Sequence, residues 1–450
     1  MSMKPLRELA EDLAEGRTSS VALTAECFER IEDPEGEGGR AFIRLFKDAA
    51  MDVAEASDRA RSHGIVPSPL AGIPVSIKDL CDVRGYTTLA GSKALADRPP
   101  AEADAPVVAR LRAAGAVILG TTNMTEFAFG ALGLNPHFDT PRNPWDRATG
   151  RIPGGSSSGA AVSVSDGMAA VALGSDTAGS VRMPAGFCGI TGFKPTTGRI
   201  PIDGLVPLAA TLDSVGPLGN SVRCCALVDA IFAGEAPEPV VPRPVEHATI
   251  AVPGRLVCDD LDEAVASGFE AALSRLSAAG ARIVDIAFAE LDEIAPLNAA
   301  GTLPIMEGHA WHRELLAEKG DLYDPVIVQR LRNGAGIPAH VYLDLLAGRR
   351  DLIARADAVT APYDAVAMPT LAWVAPPIAA IGNSAEEWLA ANTRTLRNTF
   401  VGNFLDRCAV TMPCHEPGSG PVGLTLMGAR GGDAALLSLA AGVEAALTGR

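Results

Sequence analysis

Two serines sit on glycine-rich backbone. Ser156 lies in Pro153-Gly-Gly-Ser-Ser-Ser-Gly159, and Ser180 lies in Asp176-Thr-Ala-Gly-Ser-Val-Arg182. Each stands next to the expected start of a helix. Glycine lets the chain approach a ligand closely and take up dihedrals closed to other residues. Successive backbone N–H groups in such turns can hold a developing negative charge. Three readings compete: plain turns, a phosphate-binding loop, or a nucleophile site. The phosphate loop fits worst. Neither segment ends in Gly-Lys-Ser/Thr, and no G-x-G-x-x-G opens a helix here.

A serine nucleophile needs a base. Gly155-Ser-Ser-Ser-Gly159 matches the G-x-S-x-G elbow centred on Ser157, whose partners would be a downstream acid and histidine. Among the seven histidines, His415 has the right chain order, but it lies in a Gly/Pro-rich loop. The other base is a lysine. Lys78 closes the apolar run Ile73-Pro-Val-Ser-Ile-Lys78. Lysine is seldom buried without a reason. Desolvation lowers its pKa, so a buried lysine can be neutral and basic near pH 7. The plainer alternative is a strand-end lysine that reaches solvent or pairs with Asp79.

The elements around these residues follow from apolar spacing. Residues 5–32 read as two amphipathic helices, the second capped by Ser19 or Ser20. A further helix is expected over 42–64, and a buried strand over 73–77. Residues 104–114 form a helix capped at Asp104 with Pro106 in its first turn, followed by a strand at 116–119. The Gly-, Pro- and Asn-rich stretch 130–155 is a long irregular loop, and such loops are usually functional. A helix at 157–167, a strand at 168–173 and a glycine turn at 174–184 come next. A proline-rich connector spans 233–245. Beyond it lie a strand (249–252), a helix (261–279) and a strand (282–286). Residues 300–350 are helical and irregular in pattern, and 364–369 and 423–427 are strands. This rhythm predicts an α/β fold, a parallel or mixed sheet with helices on its faces. The rhythm continues across the connector, so residues 1–450 read as a single domain. There is no internal repeat.

Composition narrows the function. The chain has 450 residues, 48% of them hydrophobic, and a formal charge of −16. Nucleic-acid phosphates would repel it, and no Lys/Arg run offers a local patch, so no nucleic acid is expected as a partner. Eight cysteines form no CxxC pair and no zinc spacing, which predicts no metal site and buried thiols in a reducing compartment. The N-terminal segment has no apolar signal core, and no run of about 18 apolar residues occurs. A cytoplasmic protein without membrane contact is expected.

Taken together, Lys78, Gly154-Gly-Ser-Ser-Ser-Gly159 and Asp176-Thr-Ala-Gly-Ser-Val-Arg-Met-Pro-Ala185 resemble the amidase signature family. Further matches are Ala71-Gly-Ile-Pro74, Thr122-Asn-Met-Thr-Glu126, Asn143-Pro-Trp-Asp146, Gly192-Phe-Lys-Pro-Thr196, Leu212-Asp-Ser-Val-Gly-Pro217 and Pro421-Val-Gly-Leu424. The resemblance covers roughly residues 5–445, with a signature core near 65–220 and a variable pocket region near 300–375. It implies the amidase signature fold, a mixed central β-sheet sandwiched between α-helices. It also implies a Ser–Ser–Lys catalytic set without metal or organic cofactor. Ser180 would be the nucleophile, Ser156 the bridging residue on a cis peptide bond, and Lys78 the base. Backbone N–H groups of Thr177, Ala178, Gly179 and Ser180 would form the oxyanion hole. Ala178 and Ser158 stand where the family often has glycine. Ser157, Asp176 and Arg182 would support the site. Met124, Phe127 and Ala128 are candidates for the acyl pocket, and Trp311, Tyr323 and Trp373 for its entrance. The implied substrate is a small amide, ester or carbamate, cleaved by a protein for which a homodimer is open. The alternative is the amidotransferase component that works on misacylated transfer RNA.

Overall fold

The short apolar runs pair into one sheet. The computed structural model describes residues 3–381, 384–416 and 418–449. Among these, eleven strands form: β1 (Phe42–Leu45), β2 (Pro74–Lys78), β3 (Val117–Thr122), β4 (Val171–Ser175), β5 (Thr191–Lys194), β6 (Val215–Gly219), β7 (Thr249–Pro253), β8 (Arg282–Ile286), β9 (Ala365–Pro369), β10 (Ala409–Pro413) and β11 (Gly423–Met427). Their order is β1-β3-β2-β4-β6-β5-β10-β11-β9-β7-β8. Parallel pairs β3-β2-β4 and β9-β7-β8 flank an antiparallel centre. The sheet is therefore mixed, and it runs unbroken across the proline-rich connector.

Parallel neighbours need long crossovers, and helices supply them. Pro106–Ala113 links β2 to β3, Ser158–Ser165 links β3 to β4, and Glu263–Ala278 links β7 to β8. Every residue of β2, β3, β4 and β9 is buried, as strands covered on both faces must be. The edge strand β8 is partly exposed instead. Residues 300–350 mix helix with irregular chain, as expected: the helices are Leu303–Lys319, Pro325–Arg332 and the start of Ala339–Thr360, with irregular segments between them.

Some expectations change. Residues 42–45 are not the start of a helix. They pair antiparallel with β3, and the helix begins at Lys47, because the ladder partner outweighs local periodicity. Asp104 does not cap its helix. Ala105 occupies that position, Pro106 is in the first turn, and the Asp104 carboxylate accepts from Arg84 N and pairs with Arg112. Strands β5, β6 and β10 had no reading in the sequence. β5 and β6 contain glycine or proline, which mask strand propensity. Ser19, by contrast, caps the second helix as expected, accepting from Ala22 N.

The site sits where β2 and β4 end side by side. Ile77 pairs with Leu173, so Lys78 and Ser175 emerge together at the carboxyl edge of the sheet. Open α/β sheets bind ligands at that edge.

Candidate active site

Lys78 is completely buried at the end of β2. Its Nζ lies 2.7 Å from Ser156 Oγ and 2.8 Å from Ser175 Oγ. It neither reaches solvent nor pairs with Asp79, whose carboxylate accepts from Gly91 N. Burial drives Lys78 down to about 7, against the opposing pull of Cys81, Asp176 and Asp213. A lysine that is half neutral near pH 7 can accept a proton.

The Gly155–Ser156 peptide is cis. Ser156 and Ser157 are fully buried. Thr125 N donates to the Ser156 carbonyl at 3.1 Å, and Gly155 N donates to the Ala131 carbonyl. Ser157 faces inward as a strut. Its hydroxyl donates to the Ser175 carbonyl, and its N–H donates to the Ser180 carbonyl at 3.3 Å. That last bond sets the two serine segments side by side. His415 serves no serine: it packs against Gly189 and faces the Val422 carbonyl. The elbow-type triad is not assembled.

Ser180 is the most accessible of the three catalytic candidates, at 5% against 0% for Lys78 and Ser156. Its loop is braced by Asp176 and Arg182, both fully buried. The Asp176 carboxylate accepts from Gly179 N (2.8 Å), Val181 N (3.2 Å) and the Arg182 guanidinium (3.1 Å). Burial alone would push Asp176 up, but Arg182, with Lys194 and Asn403, holds it at about 2. It is an anion at any working pH.

This bracing corrects one expected donor. Gly179 N–H already serves Asp176 and is not free for an oxyanion. Among the described residues, the N–H groups of Thr177, Ala178 and Ser180 have no protein acceptor. Gly179 has φ +125°, and a Cβ there would stand 2.0 Å from Thr399 Oγ1, so glycine is required.

A small cavity opens beside Ser175. Its lining includes Leu80, Ala128, Ser175, Thr177, Leu205 and Asp213, and its volume is about 20 Å³. Of the three pocket candidates, Ala128 lines this cavity. Met124 and Phe127 are buried in the core instead. Phe127, at φ +51°, turns its ring against His312 (4.4 Å) and Tyr323 (4.9 Å). Trp311 joins that cluster, whereas Trp373 donates to Thr395 on the helix Ala385–Phe404.

Four contributors were not singled out by sequence reasoning. Ser175 shares Lys78 with Ser156; its place before Asp176 was the only signal. Asp213 accepts from the Thr177 hydroxyl and from Leu208 and Ala209 N; it lay inside a recognised motif. Thr399 donates to the Ala178 carbonyl (2.8 Å), and Asn403 donates to Asp176 and accepts from Arg182 (2.6 Å). These two lie on the helix Ala385–Phe404, with no local signal. No cluster of metal-ligating side chains occurs among the described residues.

Residues 22–437 match the Amidase family. The 2-amino-5-chloromuconic acid deaminase of Comamonas testosteroni is 39% identical over 401 residues, which cover 88% of this chain and 86% of that protein. A component of the glutamyl-tRNA(Gln) amidotransferase of Chloroflexus aggregans is 33% identical, with coverage of 94% and 92%. A crystal structure of an amidase superposes with a TM-score of 0.89 at 32% identity, covering 99% of this chain and all of that one.

Proposed function

The chain belongs to the amidase family of carbon–nitrogen hydrolases, and on that premise we propose that it cleaves small or aryl amides through a Ser180 acyl-enzyme. The observation that carries this is the buried Lys78, held at about 7 and 2.7 Å from Ser156 Oγ. Neutral Lys78 takes the Ser156 proton while Ser156 takes that of Ser180. The Ser180 oxygen attacks the carbonyl carbon. The tetrahedral oxyanion meets the N–H groups of Thr177, Ala178 and Ser180, which preorganise the site for it. Ser156 returns a proton to the departing amine, and the C–N bond breaks. Water then repeats the sequence on the acyl-enzyme and releases the acid. No step calls for a metal or organic cofactor. Esters and carbamates, including urethanes, present the same planar acyl carbon and fall within reach of this chemistry.

On this reading Arg330 is the candidate partner for an anionic group on the substrate. Its guanidinium donates to the Phe129 carbonyl and stacks on the rings of Phe129 (3.8 Å) and Trp388 (5.2 Å), beside the loop that carries Ala128. Among the described residues it has no carboxylate partner, and a guanidinium in that state suits a carboxylate.

The second reading is the transfer-RNA amidotransferase component, favoured by the relative from Chloroflexus aggregans. The charge of −16 opposes direct work on transfer RNA. A hydrolysis panel separates the two. It would contain aliphatic amides, anilides, carbamates and nitrophenyl esters, each with and without a carboxylate, with Ser180→Ala as the blank. The expected result is turnover of amides by the chain alone, best for the carboxylate-bearing members and lost in Ser180→Ala. Activity confined to glutamine with charged transfer RNA would sink the hydrolase reading.

A further inference from the structure

Lys78 Nζ has two oxygen partners, and only one belongs to the proposed Ser180–Ser156–Lys78 relay. We infer that Ser175 is a positioning residue for the base: its hydroxyl oxygen accepts one Lys78 N–H and so leaves the amine lone pair to face Ser156. The inference rests on the proposed acyl-enzyme reading and deepens it.

A neutral amine carries two N–H bonds and one lone pair, and it rotates almost freely about the Cε–Nζ bond. To act as a base toward Ser156, the lone pair must face that hydroxyl. A second partner that accepts an N–H favours this orientation. A second partner that donated to the lone pair would defeat it. Ser175 therefore helps only if its own hydrogen points elsewhere, and the structure provides the place. Ser175 lines the small cavity it shares with Thr177 and Asp213. About 20 Å³ there is enough for a water. The inference requires the Ser175 hydrogen to turn into that space, which leaves the oxygen to accept from Nζ.

The charged groups facing Lys78 leave Ser175 this role. Burial holds the Cys81 thiol protonated. Asp176 is committed to Arg182 and to backbone amides. The Asp213 carboxylate accepts from Thr177, Leu208 and Ala209. Each acts on Lys78 through the field alone, whereas Ser175 touches it.

An oxygen acceptor binds an ammonium more strongly than an amine. Ser175 thus supports the charged form of Lys78 against burial, and its loss lowers the lysine pKa. The acid limb of kcat/KM should then move to lower pH, even as the misoriented amine slows the plateau. The test is the pH profile of Ser175→Ala and Ser175→Thr on the best substrate of the panel. For Ser175→Ala the limb should fall by about half a pH unit or more, with kcat down about tenfold and KM within about twofold. Ser175→Thr keeps the oxygen and should restore both limb and kcat. A purely structural role would lower kcat without moving the limb, and that result overturns the inference. So does an unchanged profile. If Ser175→Ala does not fold, Ser175→Cys, a weak acceptor of similar volume, reads the same limb. Full activity in Ser180→Ala would instead remove the underlying mechanism, so the two failures are distinct.

Discussion

On the proposed mechanism Lys78 sets the pH range, and its burial carries a stability cost. Burial brings it to about 7 from the ordinary lysine value of 10.5. Below pH 7 the lysine is charged and cannot act as a base, so kcat/KM should fall with an apparent pKa near 7. A flat profile from pH 5 to 8 would exclude neutral Lys78. The stability sign follows from the same shift. The unfolded chain keeps this proton up to about pH 10.5 and the folded chain releases it near 7. The site therefore destabilises the fold fully below pH 7, and the penalty fades as pH rises toward 10.5. Lys78→Met removes the buried amine at similar length. It should abolish turnover and raise the Tm at pH 6, by an amount on the order of a few kcal/mol in stability. A lowered Tm would show that Lys78 is offset by contacts beyond Ser156 and Ser175.

Among the elements, the helix Ala385–Phe404 shapes a loop more than two hundred residues earlier in the chain. Thr399 holds the Ala178 carbonyl, and Asp176 holds the Gly179 N–H of the same peptide. That peptide plane is fixed at both ends, which aims the neighbouring N–H groups of Ala178 and Ser180. Thr399→Val keeps the shape and deletes the donor. It should lower kcat about tenfold with KM little changed, and Thr399→Ser should recover most of the loss. Equal activity in all three proteins would free the loop from this helix. Asn403 reinforces the arrangement from the same helix through Asp176 and Arg182.

Across the molecule, the eleven-stranded sheet packs against separate apolar clusters, and the thiols report on that packing. Seven of the eight cysteines are buried, and Cys258 is partly exposed. Burial pushes Cys27, Cys408 and Cys414 up to about 12, far from the reactive thiolate form. A thiol reagent at pH 8 should modify at most about one cysteine per native chain quickly, and all eight after unfolding in guanidinium. Rapid reaction of several thiols in the native protein would contradict the packing. No helix among the described residues is long and apolar enough to cross a membrane.

Residue order was enough to single out the candidate side chains and to place most of the strands and helices near them. Ser156, Ser180 and their glycines are close in the chain, so covalent order alone keeps the motif readable. Apolar runs such as Ile73–Ile77 announce buried strands because both faces must be apolar. Folding alone settles which lysine contact matters, which N–H groups are free, and which distant side chains brace the loop. Ser175 meets Lys78 across 97 residues because β2 and β4 pair in parallel. Asn403 meets Asp176 across 227 residues because the helix Ala385–Phe404 packs on the Ser180 loop. Gly179 lost its expected role for the same reason: its N–H direction is set by the folded loop, and local residue types do not encode it. Such contacts depend on sheet order and helix docking, and no local periodicity carries that information.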